Sequence, residues 1–521
     1  YRGSDNVNTD ARYVIGIDLG TTNCAVAYVD LSAIEQGDPQ NRIQHFQVPQ
    51  LTGPGEFTRR PVLPSFLYIP GAYDITEEAM AAPWRIEERQ REDRNFAGTF
   101  ARDHGAGVPA RLVSSAKSWL CHGAVDRSAP ILPWGAPEEV HKVSPVRATT
   151  AYLKHIRKAW NVAQKGDEDG FLEHQTVVLT VPASFDEVAR ELTLDAAQQA
   201  GMGKVTLLEE PLAAFYCWLD QHEKDWQRSV TPGELILVCD VGGGTTDFTL
   251  ISLRETEGSP RFERIAVGGH LILGGDNIDL HLARVAAASR GRTLSRDQWK
   301  TLAHQCRSAK EDMLGGRLDQ KTLTLMGGGS RLIAGTISMQ LDRPSVEAAV
   351  TETFFPLVAP DDAGADMPDA GLADFGLPYE ADPAVTRHLG AFLSRHQDHV
   401  HSHLGKQIPR PDLILFNGGS LKARLVQNQI QQAVGRWFQS DIGGSPGPEK
   451  HPRILPNPDL DLAVSRGAAY YGLVKSGRGV RVGSGSARAF YLGVASSTDA
   501  AEDEAICLVE RGLEEGSAIS L

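Results

Sequence analysis

Two short segments of this sequence place an aspartate directly before a turn rich in glycine and threonine. The first segment begins at Asp18 (DLGTTN) and the second at Asp240 (DVGGGTTD). Backbone N–H groups in such turns, together with threonine hydroxyls, are donors suited to phosphate oxygens. Carboxylates beside them suit Mg²⁺, which keeps several waters and needs only one or two protein carboxylates. We therefore predict that Asp18 and Asp240 hold a hydrated Mg²⁺, and that Asp247 and Glu210 help to orient an attacking water.

Each turn joins two runs of apolar and β-branched residues, a pattern that predicts two β-hairpins. The runs cover residues 13–19 and 24–29 around the first turn and 235–241 and 248–253 around the second. Glycine allows the sharp backbone that such a connection needs. Because the two segments are similar and lie about 220 residues apart, they predict a duplication with two related lobes.

The rest of the chain alternates predicted strands and helices. Residues 176–181 form an apolar run that ends at Pro182, a helical pattern follows at 185–201, and another helix opens at Glu210 with a proline in its first turn. A third glycine turn begins at Gly418 (GGS) and leads into a further helical pattern. This alternation favours an α/β fold.

Taken together, these segments resemble the nucleotide-binding domain of the heat shock protein 70 chaperones, within the actin and sugar-kinase superfamily. The resemblance runs from about residue 13 to residue 474 and also includes TVPASF at 180–185, EPLAA at 210–214 and AVSRGAA at 463–469. It implies a two-lobed actin-like ATPase fold built from duplicated ribonuclease-H-like subdomains, with a β-rich C-terminal start.

The resemblance also implies roles for individual residues. Lys117, in the sequence SAKS, stands where the family keeps the lysine that positions the attacking water. Pro182 and Arg190 match the pair through which the family relays the nucleotide state. The implied catalytic set is Lys117, Glu210, Asp247 and Thr245. The residues implied to bind ATP or ADP, beside the metal residues Asp18 and Asp240, are Gly20, Thr21, Thr22, Asn23, Gly242, Gly243, Gly244, Thr245, Gly274, Gly275, Lys310, Gly418, Gly419, Ser420, Lys422 and Asp461.

Three features depart from the family's pattern. Where the adenine-contacting helix carries Glu-x-x-Lys-Arg, residues 307–311 have the sequence RSAKE, so that only Lys310 agrees. Lys422 stands where a stacking arginine is expected, and lysine stacks less well than a planar guanidinium. We therefore expect phosphate binding to be intact and adenine binding to be altered. In addition, GRGVRV at 477–482 replaces the acidic, leucine-rich linker of the family, which leaves coupling to a peptide-binding domain open.

Composition excludes several function classes. The 521 residues carry 52 Lys and Arg against 66 Asp and Glu, a net charge of −14, which argues against a nucleic-acid partner. No apolar run approaches the roughly 18–20 residues of a membrane span. The six cysteines form no CxxC pair, which predicts a reducing, cytoplasmic location without a disulfide framework.

The predicted organisation has five parts. They are a polar N-terminal tail (1–11), lobe I (12–234, with an outer subdomain at about 38–143), lobe II (235–454, with an outer subdomain at about 268–388 and an acidic loop at 359–383), a closing helix that returns to lobe I (455–475), and the start of a β-rich C-terminal module (476–521).

The sequence thus predicts a Mg-dependent ATPase domain of a chaperone, which hydrolyses ATP slowly and closes its lobes according to the bound nucleotide. Through the resemblance, the implied partners are client polypeptides and co-chaperones. The clients would bind a C-terminal region largely absent from this sequence, which would then be a piece of a longer protein. Two alternatives stay open: a nucleotide-sensing co-chaperone without significant turnover, and a small-molecule kinase of the same superfamily, which would need an acceptor pocket and a catalytic base.

Overall fold

The structure is a computed structural model that describes most of the chain. The described residues are 11–35, 43–71, 74, 95–256, 259–269, 271–288, 294–327, 335–360, 376–438, 441–442, 445–446, 450–483, 490–494 and 504–509. Most of the predicted polar tail, most of the predicted acidic loop and part of the predicted outer subdomain of lobe I lie outside them. Within the described ranges, no helix has the length and apolar character needed to cross a bilayer.

Strands and helices alternate along the chain. The strands are β1 (Tyr13–Leu19), β2 (Asn23–Asp30), β3 (Gln44–His45), β4 (Val48–Gly53), β5 (Glu56–Arg60), β6 (Val62–Pro64), β7 (Leu67–Tyr68), β8 (Phe96–Ala97), β9 (Leu112–Val113), β10 (Thr176–Val181), β11 (Val205–Glu209), β12 (Leu235–Val241), β13 (Thr246–Thr256), β14 (Ser259–Val267), β15 (Gln320–Met326), β16 (Thr336–Asp342), β17 (Leu413–Asn417), β18 (Asp441–Ile442), β19 (Ser445–Pro446), β20 (Arg453–Leu455), β21 (Val482–Gly483), β22 (Phe490–Val494) and β23 (Glu504–Val509). The α-helices are α1 (Leu31–Glu35), α2 (Thr99–Gly105), α3 (Ala116–Leu120), α4 (Pro145–Ala163), α5 (Glu187–Gln199), α6 (Glu210–Gln221), α7 (Gly275–Ala288), α8 (Arg296–Leu314), α9 (Arg343–Ala348), α10 (Val385–Arg395), α11 (Gln397–Leu404), α12 (Arg424–Trp437) and α13 (Ala463–Lys475).

Two six-stranded sheets, one in each lobe, share the same arrangement around the predicted hairpins. In lobe I the order is β11-β10-β1-β2-β3, with β6 also pairing β2; β1 runs antiparallel to β2 and parallel to β10. In lobe II the order is β20-β17-β12-β13-β14-β21; β12 runs antiparallel to β13 and parallel to β17. Each of the two predicted phosphate-binding turns therefore joins the third and fourth strands in the order of its sheet. The predicted α/β fold with two related lobes is confirmed.

Helices α6 and α13 pack between the two sheets and join the lobes. One buried cluster combines Val178 of the first sheet and Val238 of the second with Phe215 of α6 and Tyr470 of α13. Burial of this much apolar surface fixes the two helices against both sheets. The first turn of α6 is thereby held at the base of the cleft between the lobes, and this position places the side chain of Glu210.

One residue of the predicted acidic surface loop, Leu377, is buried instead, so the prediction of a mobile surface loop at 359–383 is wrong at this residue. Leu377 is only 6% exposed and belongs to the same buried cluster as Trp119 of lobe I. The Nε2 atom of His122 lies 3.0 Å from the carbonyl oxygen of Gly376. The polar composition of the preceding residues suggested a solvated loop, but Leu377 and Tyr379 supply apolar contacts with lobe I. Residues 376–379 thus tie lobe II to lobe I.

The segment that replaces the family's linker adds a strand to the sheet of lobe II. β21 pairs in parallel with β14, where Val482 lies opposite Phe262. Val482 is buried, and its N–H donates to the hydroxyl of Tyr216 on α6 at 3.2 Å. Further along the chain, β22 and β23 form a hairpin, which is the predicted β-rich start.

Candidate functional site

The two glycine turns face each other across the cleft between the lobes. A Cβ atom on Gly243 of the second turn would lie 2.0 Å from Oγ1 of Thr22 in the first. A Cβ atom on Gly244 would lie 2.4 Å from Oγ of Ser118. Because only residues without a side chain permit this approach, the glycines bring the backbone of the two turns to the same space.

A cavity of about 410 Å³ lies between the turns and takes its walls from both lobes. The predicted site residues that line it are Asp18, Gly20, Thr21, Thr22, Asn23, Lys117, Glu210, Asp240, Gly242, Gly243, Thr245, Gly275, Lys310, Gly418, Gly419, Ser420, Lys422 and Asp461. The structure therefore brings together segments that are far apart in the sequence. Five predicted residues do not line the cavity: Gly244, Gly274, Asp247, Pro182 and Arg190.

Lys117 lies at one end of the cavity, on the short helix α3. Its Nζ donates to Oε1 of Glu210, the first residue of α6. The side chains are 4% and 10% exposed. Burial lowers the pKa of Lys117, but the carboxylates of Glu210 and Asp18 raise this pKa more, so that it lies above its ordinary value. Lys117 is therefore a buried cation held in place by Glu210.

Four carboxylates surround this single ammonium group. Burial raises the pKa of Asp18 to about 7, and the nearby charge of Glu210 adds to the effect. Burial also raises the pKa of Asp247 to about 7 and that of Asp240 well above its ordinary value. Crowded carboxylates in a buried site disfavour one another's ionised forms. This excess of negative charge is what a bound divalent cation would neutralise.

The donor atoms at this end of the cavity fit Mg²⁺. Oδ2 of Asp240 accepts a hydrogen bond from Nδ2 of Asn417 at 2.8 Å, and Oδ1 of Asp18 accepts one from Oγ1 of Thr180 at 3.3 Å. Oδ1 of Asn417 is buried without a hydrogen-bond partner among the described residues. Hard oxygen donors of this kind, with room for waters and phosphate oxygens, are the ligands that Mg²⁺ prefers. Sequence analysis did not identify Asn417, although it ends β17 directly before the third glycine turn.

A second charged cluster lies on the wall formed by α7 and α8. Arg307 donates from Nε to Oδ2 of Asp279 at 2.9 Å and pairs with Asp276 as well. Nζ of Lys310 lies 2.6 Å from Oδ1 of Asp279. Oγ of Ser115 in lobe I donates to Oδ2 of Asp276 at 2.7 Å, so the cluster also contacts the opposite lobe. Sequence analysis missed both aspartates; their i, i+3 spacing at the start of α7 was the available signal.

Part of the cavity wall is apolar. Leu314, Val350, Val426 and Leu460 line it and belong to one apolar cluster of lobe II. Nζ of Lys422 lies 2.5 Å from Oδ2 of Asp461, so these two predicted nucleotide-binding residues form an ion pair at the rim. An apolar wall with a few charged groups at its edge fits a planar base.

The predicted relay residues lie behind the site, at the boundary between the lobes. Pro182 is buried at the end of β10, and Nη2 of Arg190 donates to Oε1 of Glu209 at 3.0 Å. Asp247 lies nearby, where its Oδ1 accepts the N–H of Ser184 at 3.2 Å and so links lobe II to lobe I. The relay and catalytic roles of these residues stay predictions.

Comparison with known proteins identifies the family. A family model described as Hsp70 protein matches residues 138–354. A chaperone protein HscA homolog of Methylococcus capsulatus is 30% identical over 450 residues, which cover 84% of this chain and 62% of the relative. This chain belongs to the heat shock protein 70 (Hsp70) family. The match to the Hsp70 model includes Glu210, the second glycine turn and the cluster on α7 and α8.

Two other relatives of this Hsp70-family chain are named chaperone protein HscA. Chaperone protein HscA of Enterobacter sp. (strain 638) is 30% identical over 300 residues, which cover 55% of this chain and 39% of the relative. Chaperone protein HscA of Salmonella agona is 31% identical over 285 residues, which cover 52% of this chain and 37% of the relative. The matched region thus spans less than two thirds of each of these relatives.

Gly274 provides a test of how the second turn is held. A Cβ atom there would lie 2.7 Å from the carbonyl oxygen of Gly242 and 2.8 Å from that of Gly243, and both are backbone atoms. We expect Gly274→Ala to displace the turn, to lower the free energy of unfolding by about 1–3 kcal/mol and to weaken nucleotide binding. Chemical unfolding and titration with a fluorescent ADP analogue measure the two effects.

The matched control is Gly269→Ala, because a Cβ atom on Gly269 has no neighbour within 4 Å. This variant should unfold and bind like the native chain. If Gly274→Ala bound the analogue as tightly as the control, the second turn would not be part of the phosphate site.

Proposed function

We propose that this chain is the Mg-dependent, slowly ATP-hydrolysing domain of an Hsp70-like molecular chaperone, and that the bound nucleotide switches the closure of its lobes. The observation that carries the proposal is the Lys117–Glu210 pair, which lies beside Asp18 and Asp240 where the two glycine turns meet. Membership of the Hsp70 family supports the same conclusion.

The residues that would bind the nucleotide come from both lobes. The amides of the two turns and the hydroxyls of Thr21, Thr22 and Thr245 would cradle the β- and γ-phosphates. Asp18 and Asp240 would hold the hydration shell of Mg²⁺, which would supply positive charge at the phosphates. The apolar part of the cavity wall would receive the base, and Lys310 and Lys422 line the same cavity.

The residues that would promote hydrolysis act by position and charge. Nζ of Lys117 would donate a hydrogen bond to the attacking water and hold it in line with the γ-phosphate, while Glu210 fixes the lysine. The positive charge of Lys117 would also stabilise the developing charge of the transition state. Because Lys117 is a cation and Glu210 is already paired with it, neither is ready to accept a proton from the water. This arrangement supports slow turnover.

Contacts between the lobes would connect the nucleotide to lobe closure. Ser115 reaches Asp276, and Ser184 reaches Asp247, on either side of the cleft. A ligand that pulls the two glycine turns together would favour these contacts, since it would bind the closed arrangement better than the open one. We propose client polypeptides and co-chaperones as partners on the basis of the HscA relatives, which are named chaperone proteins.

The test is calorimetric titration of the chain with ATP and with ADP, in Mg²⁺ and in EDTA, together with an assay of phosphate release. We expect both nucleotides to bind, about tenfold or more weakly in EDTA, since Mg²⁺ relieves the crowding of carboxylates. Phosphate should be released slowly from ATP. Binding without release would favour the nucleotide-sensing alternative, and transfer to a small-molecule acceptor would favour the kinase. Absence of binding would contradict the proposal.

A further inference from the structure

Glu209 directly precedes Glu210, the residue that accepts the hydrogen bond of Lys117. It is the last residue of β11, and Glu210 is the first residue of α6. Its side chain is 12% exposed and does not line the cavity between the lobes. Glu209 was not among the site residues predicted from the sequence, yet its backbone is joined to that of Glu210 through a single peptide bond.

The carboxylate of Glu209 is shared by two arginines from different lobes. Nη2 of Arg190, on α5 of lobe I, donates to Oε1 at 3.0 Å. Nη1 of Arg264, on β14 of lobe II, donates to Oε2. The side chain of Arg264 is 7% exposed. A guanidinium that is buried to this degree is costly when it loses its carboxylate, so the pair holds β14 against the end of β11.

A movement of lobe II can therefore reach the pair formed by Lys117 and Glu210 through two contacts. Arg264 contacts Glu209, and Glu209 directly precedes Glu210 in the chain. If β14 moves away from β11, Arg264 must either pull Glu209 with it or break its ion pair with Glu209. A shift of Glu209 moves the first turn of α6, where Glu210 accepts the hydrogen bond of Lys117. The contact of Ser184 with Asp247 crosses the same boundary, but it does not involve the residue next to Glu210.

We propose that Glu209 is a positioning residue for hydrolysis: through Arg264 it holds lobe II against the junction of β11 and α6, where Glu210 begins the helix, so that Lys117 is aligned when β14 lies against this junction. The inference rests on the proposed ATPase function. It adds a lobe II partner, Arg264, that the resemblance to the family did not supply.

The experiment is a double-mutant cycle on the full chain with Glu209→Gln, Arg264→Gln and the double variant. Single-turnover phosphate release, affinity for Mg-ADP and the midpoint of thermal unfolding are measured for each. We expect either single substitution to slow release about tenfold or more while the affinity for ADP stays within about threefold. The double variant should be no slower than the slower single variant, because each substitution by itself already breaks the pair between Glu209 and Arg264.

A second readout does not depend on turnover. Amide hydrogen exchange of residues 182–186 reports on the boundary between the lobes, because the N–H of Ser184 is bonded across it to Asp247. Loss of the clamp should accelerate exchange there in the nucleotide-free chain. The matched control is Glu191→Gln, an exposed glutamate on α5, which should change neither release nor exchange. If Glu209→Gln lowers the unfolding midpoint below the assay temperature, Glu209→Asp replaces it, since the shorter carboxylate should also lose Arg264.

Several results would overturn the proposal. Unchanged release in Glu209→Gln, additive effects in the double variant, or a loss of ADP affinity as large as the loss of rate would each exclude a positioning role. These results leave the proposed ATPase function intact as long as the native chain releases phosphate. Failure of the native chain itself to release phosphate would overturn the proposed function and the role of Glu209 together.

Discussion

Replacement of Lys117 by methionine should slow the release of phosphate from bound ATP by about 100-fold or more and leave nucleotide affinity within a few-fold of the native value. The expected split between rate and binding follows from the position of Nζ, which is held by Glu210 near the carboxylates of Asp18 and Asp240, where we propose that the phosphates bind. Methionine keeps most of the length and apolar volume of lysine but removes the charge and the donor. Steady-state phosphate release and titration with a fluorescent ADP analogue measure the two quantities.

The matched control for this substitution is Lys204→Met, because Lys204 is an exposed lysine of lobe I. It should release phosphate at the native rate. Loss of the buried cation leaves Glu210 beside other carboxylates, so the thermal midpoint of Lys117→Met must be measured to show that the variant is folded at the assay temperature. A folded Lys117→Met chain that releases phosphate at the native rate would exclude Lys117 from the reaction.

Asp18→Asn should change stability and metal-dependent binding in opposite directions. In the absence of Mg²⁺ and nucleotide, the substitution removes one of four crowded carboxylates, and burial already raises the pKa of Asp18 to about 7. We expect the free energy of unfolding to rise by about 1–2 kcal/mol, since the asparagine keeps an acceptor for Thr180 without the repelled charge. With Mg²⁺ present, the affinity for ATP should fall about tenfold or more, because one of the two predicted metal carboxylates is lost.

Chemical unfolding without ligand and calorimetric titration with Mg-ATP measure these two effects. Asp225→Asn serves as the control, because Asp225 is exposed and lies outside the cavity, and it should leave both quantities unchanged. A variant that is less stable than the native chain without ligand would mean that Asp18 serves the fold rather than the metal.

The parts of the fold that could be predicted are those in which local pattern decides structure. The two hairpins follow from apolar runs interrupted by glycines, and the strand at 176–181 agrees residue for residue with β10. Helix positions were predicted less closely: the pattern at 185–201 contains α5, which begins at Glu187 because Asp186 caps it and accepts the N–H of Ala189. A cap decides such a boundary, and hydrophobic periodicity does not show it.

The parts that could not be predicted depend on contacts between distant segments. The sequence signal of Asp276 and Asp279, their i, i+3 spacing, is too weak to assign them to the cavity. Only the fold shows their role, because it places Arg307 of α8 against both carboxylates. Leu377 stands in a polar stretch, and only the fold shows that it is buried against lobe I. Lys117 was found through family resemblance alone, since a single lysine has no local sequence signature. Its position in the cavity depends on the hydrogen bond to Glu210, which lies 93 residues away in the sequence.

Metal-dependent hydrolysis can be tested directly in a single-turnover experiment, in which the chain is first loaded with ATP in EDTA and the reaction is then started with Mg²⁺. We expect phosphate to appear slowly and only after Mg²⁺ is added, with about one phosphate released for each chain loaded. Lys117→Met should bind ATP but show no such phase. Equal release before and after the addition of Mg²⁺, or the same phase in Lys117→Met, would contradict a metal-dependent hydrolysis that is organised by the two glycine turns and Lys117.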